Sequence, residues 1–300
     1  MKFKLSQYLL PNTYHTQIRL FLLPYLIGSL ILIALPALAT AIIAFTEYSS
    51  LQTPVWNGLT NFRALMASPY VQISLRSSFL FLITAVPLRL LAALCLALLL
   101  QHKRRFFGLH RAAVYLPTVI PEVAYALIWL WLFNPLYGPL NLLLSWLGLP
   151  APAWLVEPDT AVAAIVIMSL FQIGEGFIVL IASLQTIPRS YYEAAKVDGA
   201  SSLQSFWHIT LPLILPWLLM LTFRDLILSL QNTFTPSFVM TYGGPYYATT
   251  FVPLLIYELA FDFFDFGMAA ALLVIMYLLI LLLVIGILNL VGEVKLSDDL

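Results

Sequence analysis

The sequence predicts an all-α membrane protein that crosses a bilayer six times, and three observations lead to this fold class. Hydrophobic residues make up 62% of the 300 residues and charged residues only 9%, whereas a soluble domain has about 45–50% and about 25% of these classes. Six apolar stretches are each long enough to cross a hydrocarbon core of about 30 Å as a helix. Lysine and arginine concentrate in alternate loops, which gives the helices an orientation.

Each predicted span contains about 20 apolar residues, because lipid offers no partner for an open backbone N–H or C=O group and only a helix satisfies both. Proline residues interrupt several of these stretches. Transmembrane helices accommodate proline as a kink when neighbouring helices bond the freed carbonyl groups. The prolines within or at the ends of spans are Pro24, Pro36, Pro87, Pro121 and Pro216. The spans are predicted at residues 20–45, 78–100, 112–133, 161–184, 212–230 and 266–290.

The first apolar stretch has an alternative interpretation as a secretory signal peptide. Lys2 and Lys4 precede it, and the Ala-Leu-Ala sequence at 37–39 resembles a cleavage site. The apolar run continues past these alanines to Phe45, which makes it too long for the core of a signal peptide. We therefore expect a retained transmembrane helix.

The distribution of basic residues predicts that both termini are cytoplasmic. The N-terminal segment, two loops and the C-terminal tail hold ten of the 14 Lys and Arg residues, whereas the opposite segments hold only Arg63 and Arg76. We therefore expect a multi-pass protein of the cell (inner, cytoplasmic) membrane. Its predicted organisation is a cytoplasmic segment at 1–19, a transmembrane domain at 20–290 with a cytoplasmic loop at 185–210, and a cytoplasmic tail at 291–300.

The three outward segments, residues 46–77, 134–160 and 231–265, are rich in aromatic side chains. One interpretation is the belt of tryptophan and tyrosine that commonly lies at a membrane–water interface. The other is a docking face for an external partner. The sequence alone leaves both open.

Composition and motifs exclude several classes of function. A net charge of zero gives no overall field to attract nucleic acid. No lysine follows glycine or precedes serine or threonine, so the chain lacks the phosphate-binding loop of an ATP-hydrolysing motor. All four histidines lie in predicted cytoplasmic segments and Asp225 is the one aspartate within a span, so no intramembrane hydrolase or metal site is predicted. We expect no enzyme activity, cofactor or metal in this chain.

The cytoplasmic loop carries the most specific pattern in the sequence. Ser190 and Glu193 have the spacing of a capping box that begins a short helix, and Gly199 suits the left-handed residue that ends one. Ser201 and Gln204 offer a second capping box. The predicted structure is a helix, a tight glycine turn and a second helix.

The second helix of this loop is predicted to be amphipathic. Leu203, Phe206 and Trp207 share i, i+3 and i+4 spacing, which places them on one face. Pro212 then opens the fifth span in its first turn, where the missing N–H costs little. The second helix and the fifth span are thus expected to be separate elements.

This loop resembles the cytoplasmic coupling motif of ABC importer permeases. That motif is Glu-Ala-Ala, a glycine four residues after the second alanine, and Ile-x-Leu-Pro, and this chain matches it through residues 209–212 with the spacing intact. In that family the loop's short helix sits in a groove of a separate ATPase subunit. The resemblance implies an ABC importer permease architecture, with ATP and Mg²⁺ bound by that partner. It assigns the contact to Glu193, Ala194, Ala195, Asp198 and Gly199.

Further stretches resemble the sugar-importer branch of that superfamily, in particular its maltose-type permease subunit. They lie at 56–62, 115–117, 129–137, 184–188 and 241–245. The resemblance implies alternating access, a second similar permease and an external solute-binding protein that delivers a sugar. An importer for a polyol, glycerol phosphate or another polar solute is one alternative. A structural membrane subunit that never transports is the alternative from another class.

Polar side chains within the fourth and fifth spans are candidates for a sugar site. Ionisable groups in spans are costly and usually face a partner or a water-filled path. Arg89, Arg224 and Asp225 have a structural alternative as partners of one another or of Glu122. Sugars are held by amides and carboxylates that bridge hydroxyl groups, with an aromatic face against the ring. We predict a midplane pocket formed by Gln172, Glu175, Gln231, Asn232 and Phe234, with a helix-end cap as the alternative role of Asn232.

Overall fold

The structure is a computed structural model that describes residues 12–49, 52–101 and 107–297. Most of these residues are helical, and two short strands, β1 (Thr46–Glu47) and β2 (Val55–Trp56), pair antiparallel. The all-α prediction is confirmed. The helices are α1 (Asn12–Ser29), α2 (Leu35–Ile43), α3 (Thr60–Ala67), α4 (Pro69–Leu100), α5 (Phe107–Val119), α6 (Glu122–Leu132), α7 (Pro139–Trp146), α8 (Pro158–Leu170), α9 (Gly174–Thr186), α10 (Arg189–Val197), α11 (Ser202–Ser205), α12 (Leu211–Asn232), α13 (Phe234–Pro236), α14 (Val252–Tyr257) and α15 (Phe266–Ser297).

The described helices supply the six predicted spans in two forms. Four apolar helices are continuous and long enough to cross a bilayer: Leu20–Ile43, Pro69–Leu100, Ser202–Thr241 and Phe266–Asn289. Two helix pairs are bent, Gly108–Val119 with Glu122–Leu132 by 101° and Pro158–Leu170 with Gly174–Thr186 by 46°. The spans number six when each bent pair counts as one. The orientation of the termini stays a prediction.

Two π-helical turns allow proline inside continuous spans. Leu30–Ala34 and Phe206–Thr210 each lie directly before a Leu-Pro pair. In each turn the leucine N–H donates to a carbonyl five residues back rather than four. The wider turn accommodates the proline ring and its missing N–H, so the helix continues. Pro212 lies in the first turn of α12, as predicted. The second helix of the loop and the fifth span are not separate, however, because the second π turn joins α11 and α12 into one helix.

The third span is broken, whereas the sequence predicted one helix at 112–133. Pro117 and Pro121 lie four residues apart, so two donors are missing from the same face of the helix. α5 ends at Val119, and Pro121 adopts an extended backbone with φ −54° and ψ 136°. Glu122 then begins α6 in a new direction. The bend carries a carboxylate at the start of a helix.

The core lies around α4, which packs against α8, α9 and α12. Phe177, Leu180 and Ile181 on α9 are fully buried together with Ile214 of α12. Gly174 lets α9 approach α5, because a Cβ atom there would lie 2.8 Å from the Cα of Tyr115. This packing joins α5, which precedes the break in the third span, to α9, which follows the break in the fourth span.

The segments predicted to face outward are folded and not bare turns. Asn61 donates through Nδ2 to the carbonyls of Ala44 (3.0 Å) and Thr46 (2.8 Å), which ties α3 to the end of α2. Asn141 accepts a 2.7 Å hydrogen bond from Trp154 Nε1 and so closes the segment around α7. Many aromatic side chains of these segments are exposed, among them Trp56, Tyr70, Tyr137, Tyr242, Tyr246, Tyr247, Phe261, Phe263 and Phe264.

Candidate functional site

The loop between the fourth and fifth spans contains the predicted short helix, α10. Its start differs from the prediction, because Pro188 occupies the N-cap with extended backbone and no side chain caps the helix. Ser190 therefore lies inside α10, and the predicted capping box with Glu193 is wrong. Proline fixes the entry geometry here without a capping hydroxyl, since its ring sets φ in advance.

The end of α10 matches the predicted glycine turn. Gly199 N–H donates to the Lys196 carbonyl (3.2 Å) and Ala200 N–H donates to the Ala195 carbonyl (2.9 Å), the two bonds of a Schellman motif. Gly199 has φ of +78°, and a Cβ atom at this residue would meet nothing within 4 Å. Glycine is thus required here by the left-handed backbone and not by lack of space.

The second helix begins as predicted but does not form one apolar face. Ser201 and Gln204 make both hydrogen bonds of a capping box. Phe206 packs against the buried cluster of α4 and α9, whereas Leu203 and Trp207 are 68% and 56% exposed. The rings of Phe206 and Trp207 meet edge to face with centroids 5.4 Å apart, but the π turn that begins at Phe206 changes the angular register, so the three side chains do not form one buried face.

The surface of α10 is open. Glu193, Ala194, Asp198 and Gly199 are exposed, and Ala195 is half-buried. The neighbouring Val197 is 87% exposed, so small and apolar groups surround the glycine turn. Such a combination admits close approach by another protein surface.

Tyr192 attaches α10 to the base of the fifth span, a role that the sequence did not reveal. Its hydroxyl shares a 2.9 Å hydrogen bond with Thr210 Oγ1 in the π turn, and its ring packs against the core. The adjacent Tyr191 is 52% exposed. The two tyrosines differ only in the face of α10 on which they lie, and no sequence motif indicates which of them packs against the core.

One helix connects the cytoplasmic loop to the interior of the transmembrane region. Ser202–Thr241 runs for 40 residues, or about 60 Å at 1.5 Å per residue. It begins three residues after Gly199 and includes Gln231, Asn232 and Phe234.

Four charged side chains form a network, called here the ion-pair network, that joins α4, α9 and α12. Arg89 Nε lies 3.4 Å from Asp225 Oδ2, and Arg224 Nη1 lies 3.3 Å from Asp225 Oδ1. Arg224 also pairs with Glu175, and Arg89 donates to Ser229 Oγ. The structural alternative for Arg89, Arg224 and Asp225 is thus confirmed. The ion pairs also include Glu175, a predicted substrate ligand. Among the described residues, they do not include Glu122.

A small cavity of about 30 Å³ lies beside this network. Of the five predicted substrate ligands, Gln172 and Asn232 line it, whereas Glu175, Gln231 and Phe234 do not. The assignment of these five residues to a sugar site stays a prediction. The lining side chains come from four spans and are Phe81, Arg89, Glu122, Ile165, Met168, Ser169, Gln172, Ser229, Asn232 and Pro236.

Glu122 lines the cavity, although the pocket predicted from the sequence did not include it. It is the first residue of α6, at the bend of the third span, and accepts a 2.9 Å hydrogen bond from Thr235 Oγ1. The sequence does contain a signal for this residue, because a carboxylate directly follows proline inside an apolar stretch. Broken helices in transporters characteristically place polar groups at the binding site.

Phe234 belongs to an aromatic cluster that also contains Phe238, Tyr242, Tyr257 and Phe261. Ring centroids of Phe234 lie 5.4 Å from Phe238 and 5.3 Å from Tyr257. Phe238 contacts Tyr242 at 5.3 Å, and Tyr257 contacts Phe261 at 5.1 Å. Since Pro236 lines the cavity and Thr235 bonds to Glu122, this cluster extends from the cavity wall to the exposed rings of Tyr242 and Phe261.

Comparison with known families assigns this arrangement to a class of protein. Residues 85–293 match the model of the binding-protein-dependent transport system inner membrane component. The chain belongs to this family. It is therefore a multi-pass membrane component of a transport system, and the permease assignment made from the coupling motif is confirmed.

Individual permeases are similar along nearly the whole chain. The probable ABC transporter permease protein YesP of Bacillus subtilis is 33% identical over 90% of this chain and 87% of YesP. The trehalose/maltose transport system permease protein MalF of Thermococcus litoralis is 33% identical over 87% of this chain and 89% of MalF.

A chain in the crystal structure of a bacterial ABC transporter involved in the import of the acidic polysaccharide alginate has the same fold. Its TM-score is 0.82 with 23% sequence identity, over 94% of this chain and 96% of that chain.

Proposed function

We propose that this chain is one permease subunit of an ATP-driven, binding-protein-dependent sugar importer. The observation that carries the proposal is the continuous helix Ser202–Thr241, which begins just after the turn at Gly199 and reaches the cavity at Asn232. A rigid helix moves as a unit, so a displacement of the turn also displaces the cavity wall. This supports coupling between a cytoplasmic event and a solute pathway.

The ATPase contact is proposed on α10 and its glycine turn. The exposed residues Glu193, Ala194, Asp198 and Gly199, with the half-buried Ala195, form a surface on which small side chains permit close packing. We propose that ATP and Mg²⁺ bind to the partner ATPase and that this chain performs no hydrolysis itself.

A second, similar permease is proposed to complete the pathway. Glu122 and Asn232 both line the cavity and are exposed on a single copy of this chain. Exposed polar groups of this kind within a bilayer are costly unless protein or water covers them. A facing permease would cover them and supply the opposite wall.

The proposed cargo is a sugar, delivered by an external solute-binding protein. Amide, hydroxyl and carboxylate groups of Gln172, Ser169 and Glu122 line the cavity, and such groups bridge sugar hydroxyls. The similarity to a permease named for trehalose and maltose supports the same class. The present 30 Å³ is far below the roughly 300–1,000 Å³ of an occupied ligand site. Cargo would enter only after the spans separate, as alternating access requires.

The decisive experiment is extraction of this chain from its native membrane in mild detergent, followed by mass spectrometry of the co-purifying proteins and small molecules. We expect an ATPase, a second permease and a binding protein that carries a sugar. Recovery of the chain without any ATPase, under conditions that preserve other membrane complexes, would overturn the importer and favour a structural subunit.

The pocket is tested by uptake of the identified cargo into proteoliposomes that contain the complete complex. Asn232→Ala is expected to lower the uptake rate about tenfold, since a lost hydrogen bond to cargo contributes about 1.5 kcal/mol. Gln52→Ala, an exposed amide in the outward segment, is the matched control. Equal uptake by the Asn232→Ala variant and the wild type would remove the pocket assignment.

A further inference from the structure

The charges around the cavity do not cancel. Within the ion-pair network the two arginines, Arg89 and Arg224, are matched by the two carboxylates Asp225 and Glu175. Glu122 stands apart, and it makes no ion pair with any residue in the described ranges. Arg89 also lines the cavity, but Asp225 matches its charge within the network. The cavity together with the network therefore carries a net charge of −1, which Glu122 contributes.

Two contacts hold the Glu122 side chain in place. It occupies the first turn of α6, where the positive end of the helix dipole interacts favourably with a negative group. Thr235 Oγ1 donates a hydrogen bond to Oε2. A carboxylate offers about four acceptor positions, so further donors such as sugar hydroxyls can be accommodated.

The outward segments carry the same sign. Residues 46–77, 134–160 and 231–265 contain six carboxylates and only two cations, Arg63 and Arg76. The carboxylates are Glu47, Glu157, Asp159, Glu258, Asp262 and Asp265. A surface of one sign repels solutes of that sign and lowers their local concentration.

Two of these carboxylates lie next to the aromatic cluster. Asp262 accepts a 2.9 Å hydrogen bond from the hydroxyl of Tyr242, and Glu258 follows Tyr257 directly. Burial raises the pKa of Glu258, and the nearby charge of Asp262 raises it further. The negative groups thus extend from the cavity along the cluster to the exposed surface.

We propose that Glu122 is a specificity-determining residue that restricts the cargo to sugars without an anionic group. The inference rests on the proposed function and narrows its cargo. Phosphate, sulfonate or carboxylate groups on a sugar would meet a like charge in a site of low dielectric constant, where the repulsion is strong. Neutral sugars instead donate hydroxyl groups to the same carboxylate.

The test uses two probes that differ in one group, methyl α-glucopyranoside and methyl α-glucopyranosiduronate, in which the C6 hydroxymethyl group is a carboxylate. Equilibrium dialysis measures the binding of each radiolabelled probe to the purified complex of permeases and ATPase, without the binding protein. We expect the wild type to bind the neutral glucoside at least tenfold more tightly. Glu122→Gln keeps the shape and hydrogen bonding but removes the charge, and we expect the preference to fall by about tenfold.

Two further variants keep the inference falsifiable. Glu157→Gln removes one outward carboxylate that does not line the cavity, and it should preserve the preference. Asp159→Asn removes a second outward carboxylate that does not line the cavity, so the preference should also persist. Equal affinities of the wild type for both probes, or an unchanged preference in Glu122→Gln, would overturn the inference and leave the importer standing. A complex that binds neither probe and transports no sugar would overturn the proposed function itself.

Discussion

The third and fifth spans both contain proline, yet one is bent by 101° and the other continues for 40 residues. In the fifth span the π turn Phe206–Thr210 precedes Pro212, and the helix accommodates Pro216 as well. In the third span Pro117 and Pro121 remove two donors from one face, and α5 ends between them at Val119. The difference shows how one chain builds a rigid connection and a polar break from the same residue type.

This difference in form corresponds to a difference in proposed role. The continuous span joins the coupling turn to the cavity, so it suits transmission of movement. The broken span places the charged end of α6 at the cavity, so it suits recognition. Four changes test this comparison, and they are described from the largest expected effect to the smallest.

Converting the continuous span into a broken one should have the largest effect. Ile227 is 37% exposed and lies between Gly199 and Asn232. Ile227→Pro is expected to destabilise the helix by about 3 kcal/mol and to abolish sugar uptake, whereas Ile227→Ala should retain most uptake. Uptake by proteoliposomes and binding of the ATPase are measured together. A proline variant that still transports at the wild-type rate would refute transmission through this helix.

Loss of the central carboxylate of the ion-pair network should lower sugar uptake less than the proline in the fifth span does, although its cost in stability is of the same order. Asp225→Asn leaves Arg89, whose side chain is 12% exposed, without its counter-charge, and removal of one partner from a buried pair costs about 3–5 kcal/mol. Glu175, at 53% exposure, is the peripheral partner, and Glu175→Gln should cost much less. Unfolding in increasing SDS measures both. Similar stability losses in the two variants would contradict the ranking, and unchanged uptake by Glu175→Gln would end its candidacy as a substrate ligand.

A smaller change concerns the turn that begins the continuous span. Gly199→Val forces a β-branched residue to φ of +78°, at a cost of about 1–3 kcal/mol. We expect stimulation of the partner ATPase and sugar uptake to fall together. Gly199→Asn is the matched variant, because asparagine tolerates left-handed backbone, and it should retain most of both activities. If valine preserved stimulation and uptake, the coupling assignment would be wrong.

The smallest expected effect is the loss of one hydroxyl that attaches α10 to the fifth span. Tyr192→Phe removes the 2.9 Å hydrogen bond to Thr210, and we expect a loss of about 1 kcal/mol with less uptake per ATP hydrolysed. Tyr191→Phe changes the adjacent exposed ring and should have no effect. The ratio of uptake to hydrolysis distinguishes them, and identical ratios in both variants would show that the attachment is unimportant.

The sequence predicted the parts of the molecule that depend on local chemistry. Hydropathy located six spans, and the Schellman turn at Gly199 and the capping box at Ser201 follow from backbone requirements within a few residues. The errors came where local signals compete. Ser190 had the right spacing for a cap, but Pro188 had already fixed the helix start. Pro212 suggested the start of a separate helix, but the π turn before it lets the helix continue from α11 into α12.

The candidate site was less predictable because it depends on contacts between spans. Gln172 and Asn232 reach the cavity, but Glu175 faces Arg224 across two helices, and no local pattern encodes that pairing. Glu122 enters the cavity only because the third span bends. Side chains from different spans meet according to helix rotation and tilt, which packing sets and a single sequence does not display.

The narrow cavity also bears on the electrical insulation of the membrane. Its 30 Å³ accommodates about two or three water molecules, too few for a continuous file of water across the bilayer. Each elementary charge that crosses a potential of 100 mV releases about 2.3 kcal/mol, so an open pore would dissipate the cell's ion gradients. In the proposed importer the facing permease would complete the pathway, and a pathway kept this tight at rest would let a cell hold many idle importers in its membrane without losing protons through them.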